Sequence, residues 1–216
     1  MTPQGRQKTG DKKRLIYDNA KELFSANGFK ETNVPDITRA AGIAAGTFYL
    51  YYPSKENLFM EIYMNENKIL KQAILEDFDE DEDPMNSIQN LIQRNLEGMA
   101  ANPILREWYN KDVFAKIEEK FREENGVEAV DFMYDSFLEL VAKWQAEGKI
   151  RADIDKEMVM ALFGAVIAID THKEEIGVQY FPEILSYLTE FIMTGLKPSA
   201  KPDMNNMKRE SDVAEN

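Results

Sequence analysis

The side chains best suited to chemistry in this chain lie in one short stretch, and their chemistry is hydrogen bonding to a phosphate backbone. Tyr49 and Tyr51 carry hydroxyl groups that can donate to phosphate oxygens. Just before them, the small residues Ala45, Gly46 and Thr47 would let the start of a helix approach a phosphate or a base edge closely. The stretch therefore indicates contact with a nucleic acid.

Two further residues are candidates for the same contacts. Lys55 follows Ser54, so it lies in the first turn of a predicted helix, where the helix dipole already makes the potential positive. A lysine at such a position indicates a nearby anion, and we expect a phosphate. Thr38 offers a hydroxyl group on the preceding helix.

Positioning these side chains requires two short helices joined by a tight turn. Asn33 is a predicted N-cap, Pro35 falls in the first turn, and Gly42 ends the first helix in the left-handed conformation. The segment Ala45–Tyr52 has room for about two helical turns before Pro53 ends it. This is the pattern of a DNA-reading helix-turn-helix, although an ordinary pair of packed helices has the same spacing.

The stretch resembles the N-terminal signature of the TetR family of transcriptional regulators. The matching residues are Thr32, Val34, Ile37, Ala41-Gly42-Ile43, Gly46-Thr47-Phe48-Tyr49, Tyr52, Ser54-Lys55-Glu56 and Leu58-Phe59. Two positions depart from the family pattern: Ala44 replaces the usual capping serine, and Thr38 replaces the usual alanine. The resemblance implies a DNA-binding regulator. It implies base contacts by Ala45, Gly46 and Thr47 and phosphate contacts by Thr38, Tyr49, Tyr51 and Lys55.

Charge is divided unevenly along the chain. The 216 residues have a formal net charge of −13, yet residues 1–58 contain nine Lys or Arg against six acids, a net of +3, which leaves −16 for the rest. A basic head on an acidic body is expected when only one end of a protein meets DNA. The body would repel DNA and thereby help to orient the head.

Composition argues against several other classes of protein. Zero cysteines exclude disulfide bonds and thiolate metal sites. The chain has one histidine, His172, and no glycine-rich phosphate loop or metal-ligand spacing, so we expect no catalysis, no cofactor and no metal. It also has no signal peptide and no apolar run of roughly 18 residues. We therefore expect a soluble cytoplasmic protein without membrane contact.

Helical periodicity continues through the body, and no strand pattern interrupts it. The predicted fold is all-α. Residues 1–53 form a three-helix head with a polar N-terminal arm, and its first helix runs from about Lys12 to Asn27. Residues 54–197 form a body of about six helices, the first of which, over 54–76, is long enough to bridge head and body. Residues 198–216 are polar without periodicity, which predicts a disordered tail.

Aromatic and methionine residues are numerous in the body. They either pack as core or line an apolar pocket for a small-molecule effector, and the resemblance implies such a pocket. The candidate pocket residues are Tyr63, Met64, Met99, Trp108, Tyr109, Phe114, Met133, Phe137 and Trp144. We expect a largely apolar effector. If it is charged, the acidic body favours a cation, with Glu107, Asp135, Glu139 and Asp170 as candidate partners, although Lys and Arg in the body keep anions open.

The last two long helices predict a homodimer. Residues 158–169 are apolar all round, so more than one face of that helix needs burial. The predicted interface residues are Gly164, Ala165, Ala168, Ile184, Leu188 and Phe191. Two helices from each subunit would form a four-helix interface and space two recognition helices for a palindromic site on double-stranded operator DNA.

The sequence therefore predicts a homodimeric transcriptional regulator. We expect a repressor that a small, largely apolar molecule releases from its operator. Two alternatives from other classes stay open. One is a helical protein-interaction module whose head binds a protein, and the other is an enzyme on the same scaffold.

Overall fold

The computed structural model of the protein describes residues 3–114, 116–117 and 134–198. The predicted all-α fold is confirmed, and no strand occurs within these ranges. In chain order, the elements are α1 (Pro3–Glu31), α2 (Val34–Ala40), α3 (Ala45–Phe48), α4 (Lys55–Glu76), α5 (Pro84–Ala101), a first 3₁₀ helix (Leu105–Tyr109), α6 (111–114 and 116–117), α7 (Tyr134–Ala146), α8 (Lys156–Thr171), α9 (Lys173–Ile176), a second 3₁₀ helix (Val178–Tyr180) and α10 (Glu183–Gly195).

The first helix begins earlier than its periodicity predicts, at Pro3 instead of Lys12. The predicted arm is thus helical from residue 3 onward, and a proline suits the first turn because its missing N–H would have no partner there. Gly28 interrupts the helix near its end with φ 82° and ψ 167°. Beyond this break Phe29 turns back toward Phe24, with ring centroids 5.9 Å apart. The regular part of the helix therefore ends at the predicted position, next to Asn27.

One hydrophobic cluster joins the head to the body. Its buried members include Ile16, Ala20 and Phe24 of α1, Ile37 of α2, Phe48 of α3, Leu58, Phe59 and Tyr63 of α4, Met99 of α5, Trp108 and Phe114. We call it the head–body cluster. It crosses the predicted domain boundary between residues 53 and 54, so that boundary does not coincide with a gap in the hydrophobic core.

A second cluster lies farther from the head. It contains Ile88, Leu140, Val141, Trp144, Ile150, Val159, Met193 and Leu196, and we call it the distal cluster. It forms where α7 packs on α8 and where α10 packs on α5 and α8. α5 contributes to both clusters, through Met99 near its end and Ile88 near its start. α5 therefore connects the two cores of the body.

Side chains cap the first turns of α4 and α8. Ser54 caps α4, and its Oγ accepts a hydrogen bond from the backbone N–H of Asn57 at 3.3 Å. Asp155 caps α8 in the same way through the N–H of Met158 at 2.7 Å. Ser and Asp are favoured at this position because their side chains accept readily from the free N–H groups of a first turn.

None of the described helices combines the length and the apolar character that crossing a lipid bilayer requires. Two predictions fall outside the described residues: the candidate pocket residue Met133, and residues 199–216, which make up nearly all of the predicted tail.

Candidate functional site

The candidate nucleic-acid interface is built on α2, α3 and the turn between them. Asn33 caps α2, with its Oδ1 accepting from the N–H of Asp36 at 3.1 Å. Gly42 takes φ 64°, and the N–H of Ile43 closes the turn on the carbonyl oxygen of Thr38 at 3.0 Å. α3 begins without a side-chain cap, because Ala44 has no acceptor. The predicted helix-turn-helix is therefore confirmed.

α3 ends at Phe48, so it is shorter than the two helical turns predicted before Pro53, and a hydrogen-bonded turn follows it. Together, α3 and this turn bury one face and expose another, which we call the outward face of α3. Phe48 and Tyr52 are 0% and 3% exposed and anchor the segment in the head–body cluster. Ala44, Thr47 and Leu50 recur at every third position and lie on the other side: Ala44 is exposed, Thr47 is half-buried and Leu50 is 80% exposed. The N–H of Leu50 donates to the carbonyl oxygen of Thr47 at 3.3 Å, and in such a 3₁₀ turn residues three apart are eclipsed.

The residues predicted to approach DNA most closely lie on or beside this outward face. Ala45 and Gly46 are exposed, and a Cβ atom added at Gly46 would meet no atom within 4 Å. Tyr49 is 60% exposed. Tyr51 is half-buried and packs against the head–body cluster. The helix start is therefore open enough to approach another molecule.

The other two predicted contacts are held within the head. The Nζ of Lys55 donates to the carbonyl oxygens of Phe29 and Thr32, both at 2.8 Å, and burial lowers the pKa of Lys55. Thr38 is 4% exposed, and its hydroxyl donates to the carbonyl oxygen of Pro35 at 3.2 Å. The negative partner inferred for Lys55 is thus already supplied by carbonyl groups near the end of α1, which sequence spacing cannot reveal.

Several cations of the basic head are paired with acids of the body. The Nζ of Lys21 lies 2.6 Å from Glu66 of α4, a carboxylate that is only 12% exposed. Lys13 pairs with Glu61 at 3.0 Å, but both side chains are over 40% exposed. Exposed pairs of this kind contribute little stability. Their effect here is to reduce the positive charge that the head would otherwise present.

The head falls within a known family. Residues 16–62 match the model of the family described as bacterial regulatory proteins, tetR family. The head therefore carries the DNA-binding domain of the TetR family. One relative, the uncharacterized HTH-type transcriptional regulator YxaF of Bacillus subtilis, is 31% identical over 102 residues, which cover 44% of this chain and 53% of that protein. The chain thus spans about half the length of this relative.

Solved structures share the fold beyond the head. FadR of Thermus thermophilus, a TetR-family repressor solved with lauroyl-CoA, has a TM-score of 0.59 over 88% of this chain and 98% of its own, at 21% identity. RolR, solved with resorcinol, has a TM-score of 0.61 over 90% of this chain and 91% of its own, at 14% identity. At these identities the likeness shows the fold alone.

The body of the chain encloses a lysine that sequence reasoning missed. Lys173 is 0% exposed, and its Nζ lies 3.5 Å from the ring centroid of Phe114 and 3.8 Å from that of Trp108. It also donates to the carbonyl oxygen of Asp170 at 2.9 Å, while the indole N–H of Trp108 donates to Asp170 Oδ2 at 2.7 Å. A lysine just after a helix end reads as a surface residue, so no sequence signal indicated its burial.

A second lysine lies in the same part of the body. Lys71 of α4 donates to Asn95 Oδ1, and burial lowers its pKa to about 8, against the opposing effect of the Asp170 charge. Burial also raises the pKa of Asp170, although its bonds and its cationic neighbours oppose the shift. The group comprises Tyr63, Lys71, Trp108, Tyr109, Asp170 and Lys173, and we call it the inner polar cluster.

The candidate pocket residues divide between the two hydrophobic clusters. Tyr63, Met64, Met99, Trp108, Tyr109 and Phe114 lie in or against the head–body cluster, whereas Phe137 and Trp144 lie in or against the distal cluster. Helical periodicity identifies the buried face of a helix but not the helix that covers it. The sequence therefore could not show that these residues belong to two separate clusters. A groove of about 360 Å³ between α5 and α10 is lined by none of them.

Two of the acids proposed as partners of a cationic effector are already engaged. Asp170 belongs to the inner polar cluster. Glu107 is 9% exposed, its Oε1 accepts the backbone N–H of Phe29 at 3.1 Å, and its Oε2 accepts from Asn110 Nδ2 at 2.7 Å. Glu139 is exposed, and the side chain of Asp135 lies outside the described residues. Glu107 is therefore a link from the body to the end of α1.

The two helices predicted to form a dimer carry an exposed apolar surface in this single chain. On α8, Gly164, Ala165 and Ala168 are exposed, as are Met158 at 52% and Ile167 at 48%. On α10, Tyr187 and Phe191 are 59% and 66% exposed, and Ile184 and Leu188 are half-buried. Apolar surface concentrated in this way is typical of a protein–protein interface.

Proposed function

We propose that the protein is a ligand-responsive, DNA-binding transcriptional regulator and that it represses from a palindromic operator. The outward face of α3 carries the proposal: Phe48 is fixed in the core while Thr47 and Leu50 face away from it. Relatives named as HTH-type transcriptional regulators, such as YxaF, support the same function and give no support to an enzyme.

On this proposal α3 enters the major groove of the operator. Thr47, with Ala45 and Gly46, would contact base edges, and Tyr49 and Tyr51 would contact phosphates. Lys55 stays in the proposal because an ammonium group has three N–H donors and the carbonyl groups near the end of α1 use two of them. We leave Thr38 out, because its hydroxyl is buried and already bonded within the head.

A mobility-shift assay tests the proposal most simply. The probe is the duplex DNA that adjoins the protein's own gene, with unrelated duplex as competitor. We expect a shift that survives competitor, weakens steeply with salt, and changes in sequence preference when Thr47 is replaced by Val. Equal binding to every duplex by wild type would contradict operator recognition. Salt-insensitive binding to an acidic protein partner would favour a protein-interaction module instead.

The proposed assembly is a homodimer through α8 and α10. A Cβ atom at Gly164 would meet nothing within 4 Å in the single chain, so Gly164→Leu should fold normally but keep a partner helix at a distance. We expect light scattering at micromolar concentration to show a dimer for wild type and a monomer for this variant. A monomeric wild type that still binds its operator fully would overturn the assembly.

The proposed effector acts through α4. This helix starts at Lys55, beside the recognition segment, and reaches the inner polar cluster at Lys71. A ligand that rearranges that cluster would move α4 and change the spacing of the two heads. A tenfold loss of operator affinity requires about 1.4 kcal/mol of coupling.

Solved neighbours bound to lauroyl-CoA or resorcinol support a small-molecule effector, and the lauroyl chain supports one with an apolar part. A thermal-shift screen followed by operator-release assays tests this part of the proposal. If every ligand that stabilises the protein leaves operator affinity unchanged, α4 does not transmit the signal.

A further inference from the structure

Leu50 places an apolar side chain where the proposed function expects DNA. It is 80% exposed, the highest value among the large hydrophobic side chains described. The exposed surface that we assign to the dimer lies on α8 and α10, so Leu50 is not accounted for by that interface. Its position on the outward face of α3 therefore needs its own explanation.

The backbone around Leu50 is held firmly, so the side chain is presented in a defined direction. The N–H groups of Tyr51 and Tyr52 both donate to the carbonyl oxygen of Phe48, at 2.9 and 3.0 Å. Phe48 and Tyr52 are themselves buried in the head–body cluster. Leu50 thus projects from a rigid turn, directly after Thr47 on the same face.

The chemistry of a leucine narrows what it can recognise in a major groove. It has neither a donor nor an acceptor, so it cannot pair with the polar edges of guanine, adenine or cytosine, and it gains nothing from a charged phosphate. The apolar group exposed in the major groove is the 5-methyl group of thymine. Removing both surfaces from water is favourable, and no polar group is left unpaired.

We propose that Leu50 is a specificity-determining residue that recognises the 5-methyl group of a thymine in each operator half-site. This inference rests on the proposed function. Residues three apart on α3 and its following turn are about 4.5–6 Å apart along the axis, and successive base pairs are about 3.4 Å apart. The thymine should therefore lie one or two base pairs from the base that Thr47 contacts.

The test uses duplexes that the wild-type protein itself selects from a randomised library. We expect selected sites to contain an invariant thymine in each half-site. Replacing that thymine by deoxyuridine removes only the methyl group and should weaken wild-type binding about fourfold per half-site, the effect of losing one buried methyl group. In Leu50→Ala the same replacement should change affinity by much less, because the contacting methyl groups are gone.

Two control measurements keep the test specific. Leu50→Ala should unfold at the same temperature as wild type, because the side chain is exposed. Ile69→Ala removes a side chain that is 52% exposed on α4, away from α3, and should retain the wild-type preference for thymine over uracil.

The outcomes separate this inference from the proposed function. If no duplex is enriched at any salt concentration, the proposed function fails and the inference fails with it. If duplexes are enriched but wild type binds thymine and uracil sites equally, only the inference is overturned. Equal sensitivity to uracil in wild type and Leu50→Ala would likewise overturn it, because the methyl group would then be read by another residue.

Discussion

The turn after α3 holds an apolar side chain in solvent, whereas the inner polar cluster of the body holds charged side chains largely away from solvent. Leu50 is 80% exposed, while Lys173 is 0% exposed and rests on aromatic rings. The groups that the head would use in binding already face outward, so its partner can dock without rearranging the chain. The groups of the inner polar cluster are bonded to one another, so a ligand there must replace existing interactions.

The two regions meet at the peptide groups of Phe29. Glu107 of the body accepts its N–H at 3.1 Å, and Lys55 at the start of α4 donates to its carbonyl oxygen at 2.8 Å. Trp108, next to Glu107 in the chain, donates to Asp170 of the inner polar cluster. A rearrangement of that cluster thus has a short bonded route to the end of α1, in addition to the route along α4.

The largest effect is expected from breaking the inner polar cluster at Lys173. Lys173→Met should lower the free energy of unfolding by about 3 kcal/mol, because it leaves Asp170 without its nearest cation. Urea unfolding measures this, with the exposed neighbour Glu174→Gln as the matched control. Adding Asp170→Asn should restore part of the loss, since the two residues interact directly. A stable Lys173→Met would mean that the body tolerates an unpaired carboxylate.

Lys71 should make stability depend on pH in a defined window. Its pKa in the folded chain is about 8, below the usual 10.5, so the unfolded chain binds more protons between these values. The free energy of unfolding should therefore rise with pH across this window, by on the order of 2 kcal/mol from this group. The rise should be absent from Lys71→Met and present in Lys68→Met. If the free energy of unfolding varies with pH in the same way in wild type and in Lys71→Met, the Lys71 ammonium group is not buried as described.

Glu107→Ala tests the hydrogen bond that links the body to the end of α1. It leaves the N–H of Phe29 without its acceptor, which should cost about 2 kcal/mol. Glu107→Gln keeps an acceptor oxygen and should cost less. Amide exchange at Phe29 should accelerate in the alanine variant and much less in the glutamine variant. Unchanged exchange in both variants would show that Glu107 does not hold the end of α1.

The smallest effect is expected from Lys55→Ala. This variant tests whether Lys55 stabilises the head through its internal hydrogen bonds, binds a DNA phosphate, or does both. Loss of its bonds to Phe29 and Thr32 should lower stability by about 1 kcal/mol. If the remaining N–H binds a phosphate, the salt dependence of DNA binding should also flatten by about one unit. A loss of stability with an unaltered salt slope would restrict Lys55 to its internal role.

The head could be predicted in detail because its signals are local. Asn33 accepts from the N–H of Asp36, three residues along the chain, and Gly42 supplies its own left-handed turn. The body could be predicted only as a set of helices. Lys173 contacts Trp108 and Phe114, which lie far away along the chain. Glu107 accepts a hydrogen bond from Phe29, 78 residues away. Periodicity does not encode such pairings.

Two lysines, Lys55 and Lys173, make the same point at a single residue type. Lys55 was assigned to an external anion because the helix dipole disfavours it, yet carbonyl groups brought in by the fold of α1 supply the negative partner. Nothing in the sequence singles out Lys173, yet the aromatic side chains of other elements enclose it. In both cases, the charge was visible in the sequence and its environment was not.

Amide hydrogen exchange of the whole chain, with and without an operator duplex selected from a randomised library, tests the central claim most directly. We predict that DNA slows amide exchange over residues 45–52. The exchange rates of residues in the inner polar cluster should not fall in the same way, because DNA does not contact the body there. Protection confined to α8 and α10, or no protection anywhere despite a stable complex, would contradict the assignment of the outward face of α3 as the surface that reads DNA.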